Sequence, residues 1–375
     1  MRKLMFVVND AAFFLSHRLP IAEAARDEGF EVHVAVPPAN GEVRRIEGAG
    51  FVYHPVDISR RGTRPDLEIA AVGELVELYR EVAPDIVHHV TIKPVLYGGV
   101  AARVAEVPAV VSAVSGLGYV FIARGPQAAA RRWAVCQFYR QALMHENCRV
   151  IFQNPDDEAA FRGEGLIRDG QGVLIRGSGA DLSVFAPRPE VDGMPIVVLA
   201  SRMLWDKGIA EFVRAAQFLR AQGVDARFVL VGDTDDGNPA AVPRTVLEEW
   251  DEQGHVEWWG YRNDIAEIFQ SAHVVCLPSY REGLPKVLIE AAGCGRAIVT
   301  CDVPGCREVV RDGENGLLVP AEDAPALARA MRTLVLEPEL RRRMGRRSRE
   351  IAEADFSIET VVGQTLELYR ELGGT

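Results

Sequence analysis

The chain has 375 residues, 48% hydrophobic and 25% charged, with a net charge of −11. That length exceeds what one hydrophobic core usually organises, so two domains are expected. The acidic balance argues against broad nucleic-acid binding and leaves room only for a local basic patch.

Six cysteines are scattered without any C-x-x-C spacing, which gives neither a zinc site nor a disulfide framework. No apolar run approaches the ~18 residues of a membrane span. The opening run to Val8 is too short for a signal peptide, so a reduced, cytoplasmic location is expected.

In chain order, Leu4 to Val8 is a continuous apolar run of the kind that forms a buried parallel strand. Residues 9–16 read as a loop, and a helix follows to Glu28, closed by Gly29. Further strands are expected at 31–36, 51–56, 85–89, 109–114, 149–153 and 173–175, with helices at 66–82, 94–105 and 126–145. In the first of these helices Leu67, Ala70, Leu75 and Leu78 recur at helical spacing, and Pro84 stops it.

Pro187 to Gly193 has the composition of a linker. Alternation then resumes, with strands at 195–200, 226–231, 256–258, 273–277, 297–300 and 316–319. The intervening helices are 208–222, 243–253, one capped by Asp264 that runs to Gln270, and 324–336. A basic stretch and a helix over 357–372 end the chain. Such alternation predicts an α/β fold of two doubly wound, Rossmann-like domains facing each other across a cleft. The expected domains are 1–188 and 194–355, with 356–375 a C-terminal helix packing back on the first.

The segment Ser279-Tyr-Arg-Glu-Gly-Leu-Pro-Lys-Val-Leu-Ile-Glu290 follows a strand and opens a helix near Lys286. In an open α/β sheet that edge binds ligands. Gly283 and Pro285 keep the loop irregular, the helix start offers N–H groups to an anion, and Glu282 and Glu290 can accept hydroxyl hydrogens. Either glutamate alone is more simply a solvated loop residue or a first-turn acid. Their pairing across Gly-Leu-Pro, behind a strand, favours a site.

Ser201 to Gly208 also follows a strand and opens a helix. Arg202 can grip a phosphate bidentately and Lys207 adds a point charge, though surface cations are the commoner fate of both types. No Walker A loop occurs and no G-x-G-x-x-G follows the first strand, which weakens a dehydrogenase reading. His88-His89 ends a strand; adjacent residues point to opposite faces, so only one of them can face a ligand, and packing is an equal reading. His17 and Arg18 end the first loop, and Gly116 and Gly118 allow either a close backbone approach or a turn. Asp233-Thr234-Asp235 reads as a loop rather than a metal–diphosphate motif.

Arg124, Arg131, Arg132 and Arg140, with Trp133, Phe138 and Tyr139, lie on one helix region that can rest on an anionic bilayer or simply pack. Arg341–Arg343 and Arg346-Arg347 read as a solvated helical face.

Arg202…Lys207, Arg281 to Ala292 and Val303-Pro-Gly-Cys-Arg-Glu308 together resemble glycosyltransferase family 4. Phe13 to Pro20 and Val90 to Pro94 resemble its bacterial branch for surface polysaccharide and lipid-linked glycans. The likeness spans nearly the whole chain. It implies a GT-B fold and a retaining hexosyltransferase that needs no metal or cofactor. The implied donor is a nucleotide-diphosphate sugar, most simply a UDP-sugar. The implied acceptor is a polyprenyl-diphosphate-linked saccharide, reached by peripheral contact with the inner membrane face.

By position, the resemblance gives Arg202 and Lys207 to the diphosphate, Glu290 to the ribose and Glu282 to the donor sugar. It gives the backbone of Gly283, Leu284, Pro285 and Lys286 to sugar and phosphate, Tyr261 and Arg262 to the base, and His88 to the reacting sugar. Where many relatives carry Gly-Gly in the first loop, this chain has Ala11-Ala12-Phe13-Phe14, with His17 and Arg18 as substitutes on the acceptor side. Two other readings are a nucleotide-sugar epimerase or hydrolase, which would want further acid–base carboxylates, and a non-catalytic nucleotide-sugar-binding regulator, which would bind donor without turnover.

Overall fold

The computed structural model describes residues 1–58, 65–117, 125–235 and 237–373. The chain forms two compact units, one of Met1–Ser178 with the C-terminal segment from Glu359, the other of Gly179–Ile358.

The first unit holds seven strands: β1 Lys3–Val8, β2 Glu31–Val36, β3 Val52–Pro55, β4 Ile86–Val90, β5 Ala109–Val114, β6 Cys148–Phe152 and β7 Gly172–Leu174. They form one parallel sheet in the order β3-β2-β1-β4-β5-β6-β7. The continuous apolar runs have a plain cause: both faces are covered. Leu4, Phe6 and Val8 of β1 pack into one buried cluster, and Met5 and Val7 into the cluster on the other face. The C-terminal helix Ile358–Leu372 gives Val361, Leu366, Leu368 and Tyr369 to the first of these.

The second unit repeats the plan with β8 Ile196–Ala200, β9 Arg227–Val231, β10 Glu257–Trp258, β11 Val274–Leu277, β12 Ala297–Cys301 and β13 Gly316–Val319. Its parallel order is β10-β9-β8-β11-β12-β13. Winding reverses between β8 and β11, so a ligand crevice is expected outside their carboxyl ends.

Several local expectations change. Residues 9–16 are no loop: Ala11–His17 is helical, because Asp10 caps it by accepting from the Phe13 N–H at 2.9 Å, and Ala11, Phe14 and Leu15 are buried. Pro155–Gly163 is a further helix, capped by Asn154. The basic stretch is helical as expected, over the 18 residues Pro338–Asp355. It is not wholly solvated, since Arg341 is buried and grips Glu190 with two bonds of 2.8 Å. Asp264 precedes its helix without capping it, because Arg262 holds its carboxylate.

The unit boundary falls at Ser178–Gly179, ahead of the proline-rich 187–193 stretch. Ala180 bridges Ser357 in parallel, and Arg349 gathers the carbonyls of Leu182 and Phe185, so residues 180–185 are bonded into the second unit.

Candidate active site

The second unit carries the denser constellation. The turn after β8 and the loop after β11 are pressed together by Gly208, whose φ of +72 suits glycine and whose added Cβ would lie 2.2 Å from the Pro278 carbonyl oxygen. The contact is stitched by the Tyr280 N–H, which donates to the Asp206 carbonyl at 2.9 Å. It brings Lys207 to Glu282: Nζ donates to Oε1 at 2.5 Å, with the two side chains 18% and 14% exposed. Beside them the Tyr280 hydroxyl donates to Glu211, and burial together with that carboxylate pushes the phenol up.

The helix Lys286–Gly293 follows the loop, with Pro285 at its cap position. Glu290 lies on its buried side and pairs with Lys286 at 3.0 Å. Burial raises the Glu290 carboxyl above its ordinary value, and Lys286 only partly opposes that.

A cavity of about 370 Å³ opens at the carboxyl ends of β8 and β9. Val231, Ile265 and Val287 give it apolar walls, and Arg202, Tyr261 and Arg262 line its polar side. Arg202 pairs with Asp235 at 2.7 Å, and the Arg262 guanidinium lies over Trp259. Tyr261 is 76% exposed, a free ring at the mouth. The cavity can take a flat, partly apolar group, with cations placed for an attached anion.

The structure thus brings Lys207 to Glu282, Lys286 to Glu290, and Arg202, Tyr261 and Arg262 to one cavity. Gly283, Leu284 and Pro285 form the connecting loop; Leu284 is buried, and Gly305 packs beneath, its would-be Cβ 2.5 Å from the Gly283 oxygen. Sequence reasoning missed Tyr280, Glu211 and Gly232. At Gly232 (φ +136) a Cβ would sit 1.8 Å from the Ser201 oxygen, so glycine there lets the two strand exits touch. The readable signal was a glycine directly after a strand.

The first-unit residues are placed differently. His88 is 1% exposed; its Nδ1 is bonded to the Tyr369 hydroxyl, and Phe6 packs on the ring. Burial, then Arg18, holds its pKa well below the ordinary histidine range. The ring is held to the C-terminal helix through Nδ1, while its Nε2 has no partner among the described residues. His89 is buried too, against Tyr79, with its pKa brought to about 3 by burial. Arg18 is 3% exposed and meets the Ser178 hydroxyl at 3.3 Å, while His17 stacks on Phe13. Gly116 has a φ of +125, in keeping with a turn. Gly118 and Arg124 lie outside the described residues.

In the helix Pro126–Ala142, Trp133 and Phe138 are exposed, whereas Tyr139 is buried against Phe161 and Arg132 pairs with Glu164. No helix among the described residues is long and apolar enough to cross a membrane. Nor does any group of three or more metal-ligating side chains among them converge on a cation position.

The pattern of the family described as glycosyl transferase 4-like matches residues 3–154, and that of glycosyl transferases group 1 matches 194–337. The chain belongs to the glycosyltransferases. Among similar proteins is N,N'-diacetylbacillosaminyl-diphospho-undecaprenol alpha-1,3-N-acetylgalactosaminyltransferase of Campylobacter jejuni, 27% identical over 98% of each chain. Another is the UDP-Gal:alpha-D-GlcNAc-diphosphoundecaprenol alpha-1,3-galactosyltransferase of Escherichia coli, 24% identical over 81% of this chain and 80% of that one. Among solved structures, HepE of Anabaena in complex with UDP superposes with a TM-score of 0.77 at 20% identity, over 99% of this chain and 100% of that one. Sucrose-phosphate synthase of Thermosynechococcus elongatus does so with 0.79 at 22% identity, over 99% of each. This glycosyltransferase accordingly has the GT-B fold.

Proposed function

We propose that this glycosyltransferase moves a hexose-type sugar, with retention, from a UDP-sugar to a polyprenyl-diphosphate-linked saccharide at the cytoplasmic membrane face. The observation that carries the donor side is the cavity at the ends of β8 and β9, with Arg202 on its rim. The Lys207–Glu282 and Lys286–Glu290 pairs on the neighbouring loop and helix support the same reading. The base rests between Tyr261, Arg262 and the apolar wall. Glu290 accepts from ribose hydroxyls and Glu282 from the donor sugar.

Arg202, Lys207 and backbone N–H groups of Gly283, Leu284 and Lys286 stabilise the leaving diphosphate, so no metal is required. The bond from the anomeric carbon to the phosphate oxygen breaks as the acceptor oxygen bonds to that carbon on the same face. The acceptor proton passes to the departing phosphate oxygen, and the protein positions and neutralises. His88 is kept as the residue beside the reacting sugar, its Nδ1 held by Tyr369 and its Nε2 without a partner among the described residues. His17 and Arg18 remain the proposed acceptor-side residues. The acceptor class is supported by the diphospho-undecaprenol named for both curated relatives. The exposed Trp133 and Phe138 supply apolar side chains for peripheral membrane contact.

The test incubates purified protein with labelled UDP-sugars and undecaprenyl-diphosphate-linked saccharides, with and without chelator. Label entering the lipid phase, with the donor's anomeric configuration kept, is expected. No transfer from any UDP-sugar and no thermal stabilisation by UDP would refute the reading.

A further inference from the structure

At the amino-terminal end of β12, on the edge of the second sheet opposite the strand exits described above, lies a cavity of about 650 Å³. Three segments build it: Pro187–Glu190, the Gly295-Arg296 turn, and one face of the helix Pro338–Asp355 through Arg342, Arg346 and Arg349. The last three are spaced i, i+4, i+7 and so share a face. With Arg188 and Arg296, five guanidinium groups line this single concavity in a chain whose net charge is −11.

The two carboxylates of the lining are already engaged. Glu190 accepts from Arg341 and Arg342, and Glu350 from Arg347. Arg349 is spent on the carbonyls of Leu182, Phe185 and Gly293 and on Glu353. Arg188 and Arg346 are left exposed, with no carboxylate partner among the described residues. Arg296 is 2% exposed; its Nη2 donates to the Arg188 and Gln270 carbonyls, but its Nε is buried without a partner.

Arg342 and Arg349 have carboxylate partners, but Arg188, Arg296 and Arg346, gathered without one among the described residues, repel one another. An anion entering the cavity relieves that repulsion. The spread of the arginines over three segments suits a ligand with two or more linked phosphates, since guanidinium forks match phosphate oxygens.

We infer that this arginine-lined cavity is a second anion site, distinct from the donor site, that binds a ligand bearing linked or clustered phosphate groups. Free polyphosphate and an anionic lipid headgroup share that chemistry. The inference does not rest on the donor reading.

The test titrates the full chain calorimetrically with inorganic tripolyphosphate, alone and with saturating UDP. In parallel the protein is sedimented with phosphatidylglycerol vesicles and with phosphatidylcholine vesicles. The comparison variant is Arg188→Ala/Arg346→Ala, whose two side chains are exposed and make no structural bond, with circular dichroism as the fold control.

Binding in either arm that persists with UDP present and weakens at least tenfold in the variant is the expected result. The arm that responds identifies a soluble polyphosphate or a headgroup as the source. Equal binding by variant and wild type, or no binding in both arms, would overturn the inference. Loss of the UDP signal alone would count against the donor site and leave this result standing.

Discussion

The Lys207–Glu282 pair gives a prediction that separates packing from chemistry. Both side chains are more than four-fifths buried and 2.5 Å apart. Lys207→Ala leaves a carboxylate in a site that burial has largely stripped of water. Removing one partner of a fully buried pair costs roughly 3–5 kcal/mol. The residual exposure lowers that to about 2 kcal/mol. Glu282→Ala should cost about 1 kcal/mol, because the freed lysine can swing its ammonium to water. The double variant should then cost less than the sum of the two, with a coupling of about 1–2 kcal/mol. Urea unfolding of the four proteins measures the cycle. Activity follows a different rule: if Lys207 stabilises the leaving diphosphate, kcat falls about 100- to 1000-fold in Lys207→Ala and is not rescued in the double variant. A coupling below about 0.3 kcal/mol would refute the pairing. Wild-type turnover in Lys207→Ala would refute the diphosphate role.

Three further outcomes are expected. His88 and His89 are held neutral by burial, so their folded pKa values lie below the ordinary one. The unfolded chain takes up protons below pH ~6.5 while the fold does not. Stability is therefore full above that pH and falls by about 2 kcal/mol per histidine by pH 5. In urea melts at pH 7.5 and 5, His89→Gln should lose that much less than wild type, and an unchanged pH slope would contradict the burial argument. Glu290 behaves oppositely, its folded pKa being raised. Its contribution is present at low pH and lost as pH rises through the folded value. The stability difference between Glu290→Gln and wild type should therefore move in favour of the variant as pH rises from 4.5, while UDP affinity drops about tenfold; a flat difference would rule this out. Gly232→Ala should cost 3 kcal/mol or more, given a φ of +136 and a Cβ 1.8 Å from the Ser201 oxygen; a loss under about 1 kcal/mol in the same melts would show that the strand exits part freely.

The sheets were legible because their strands are covered on both faces, so an apolar run such as Met5-Phe6-Val7-Val8 or Val197-Val198-Leu199-Ala200 announces itself without alternation. Burial was harder to read where charge masks the inward face of a helix. In Pro338–Asp355 the buried stripe runs through Arg341, Met344, Gly345, Ser348 and Ile351, and an arginine in a core position reads as solvent until Glu190, 151 residues away, is seen to neutralise it. The short helix at Ala11–His17 depends on a cap at Asp10 that a turn would use equally well.

The candidate site divides in the same way. Its loops follow strands and open helices, which sequence shows; its pairings cross the chain, which sequence does not. Lys207 meets Glu282 over 75 residues, Arg202 meets Asp235 over 33, and Tyr369 meets His88 over 281. The last contact decides most. A histidine at a strand's end is placed for ligand or for core with equal ease by local pattern, and a tyrosine from the final helix fixes the orientation of its ring. Glycines were the better guide. Gly208 and Gly232 each sit where one backbone presses on another, and that close approach brings strand exits together from separate parts of the chain. A glycine in the loop that leaves a buried strand is thus a statement about a distant segment, and after β8 and β9 it marks where the cations and carboxylates gather.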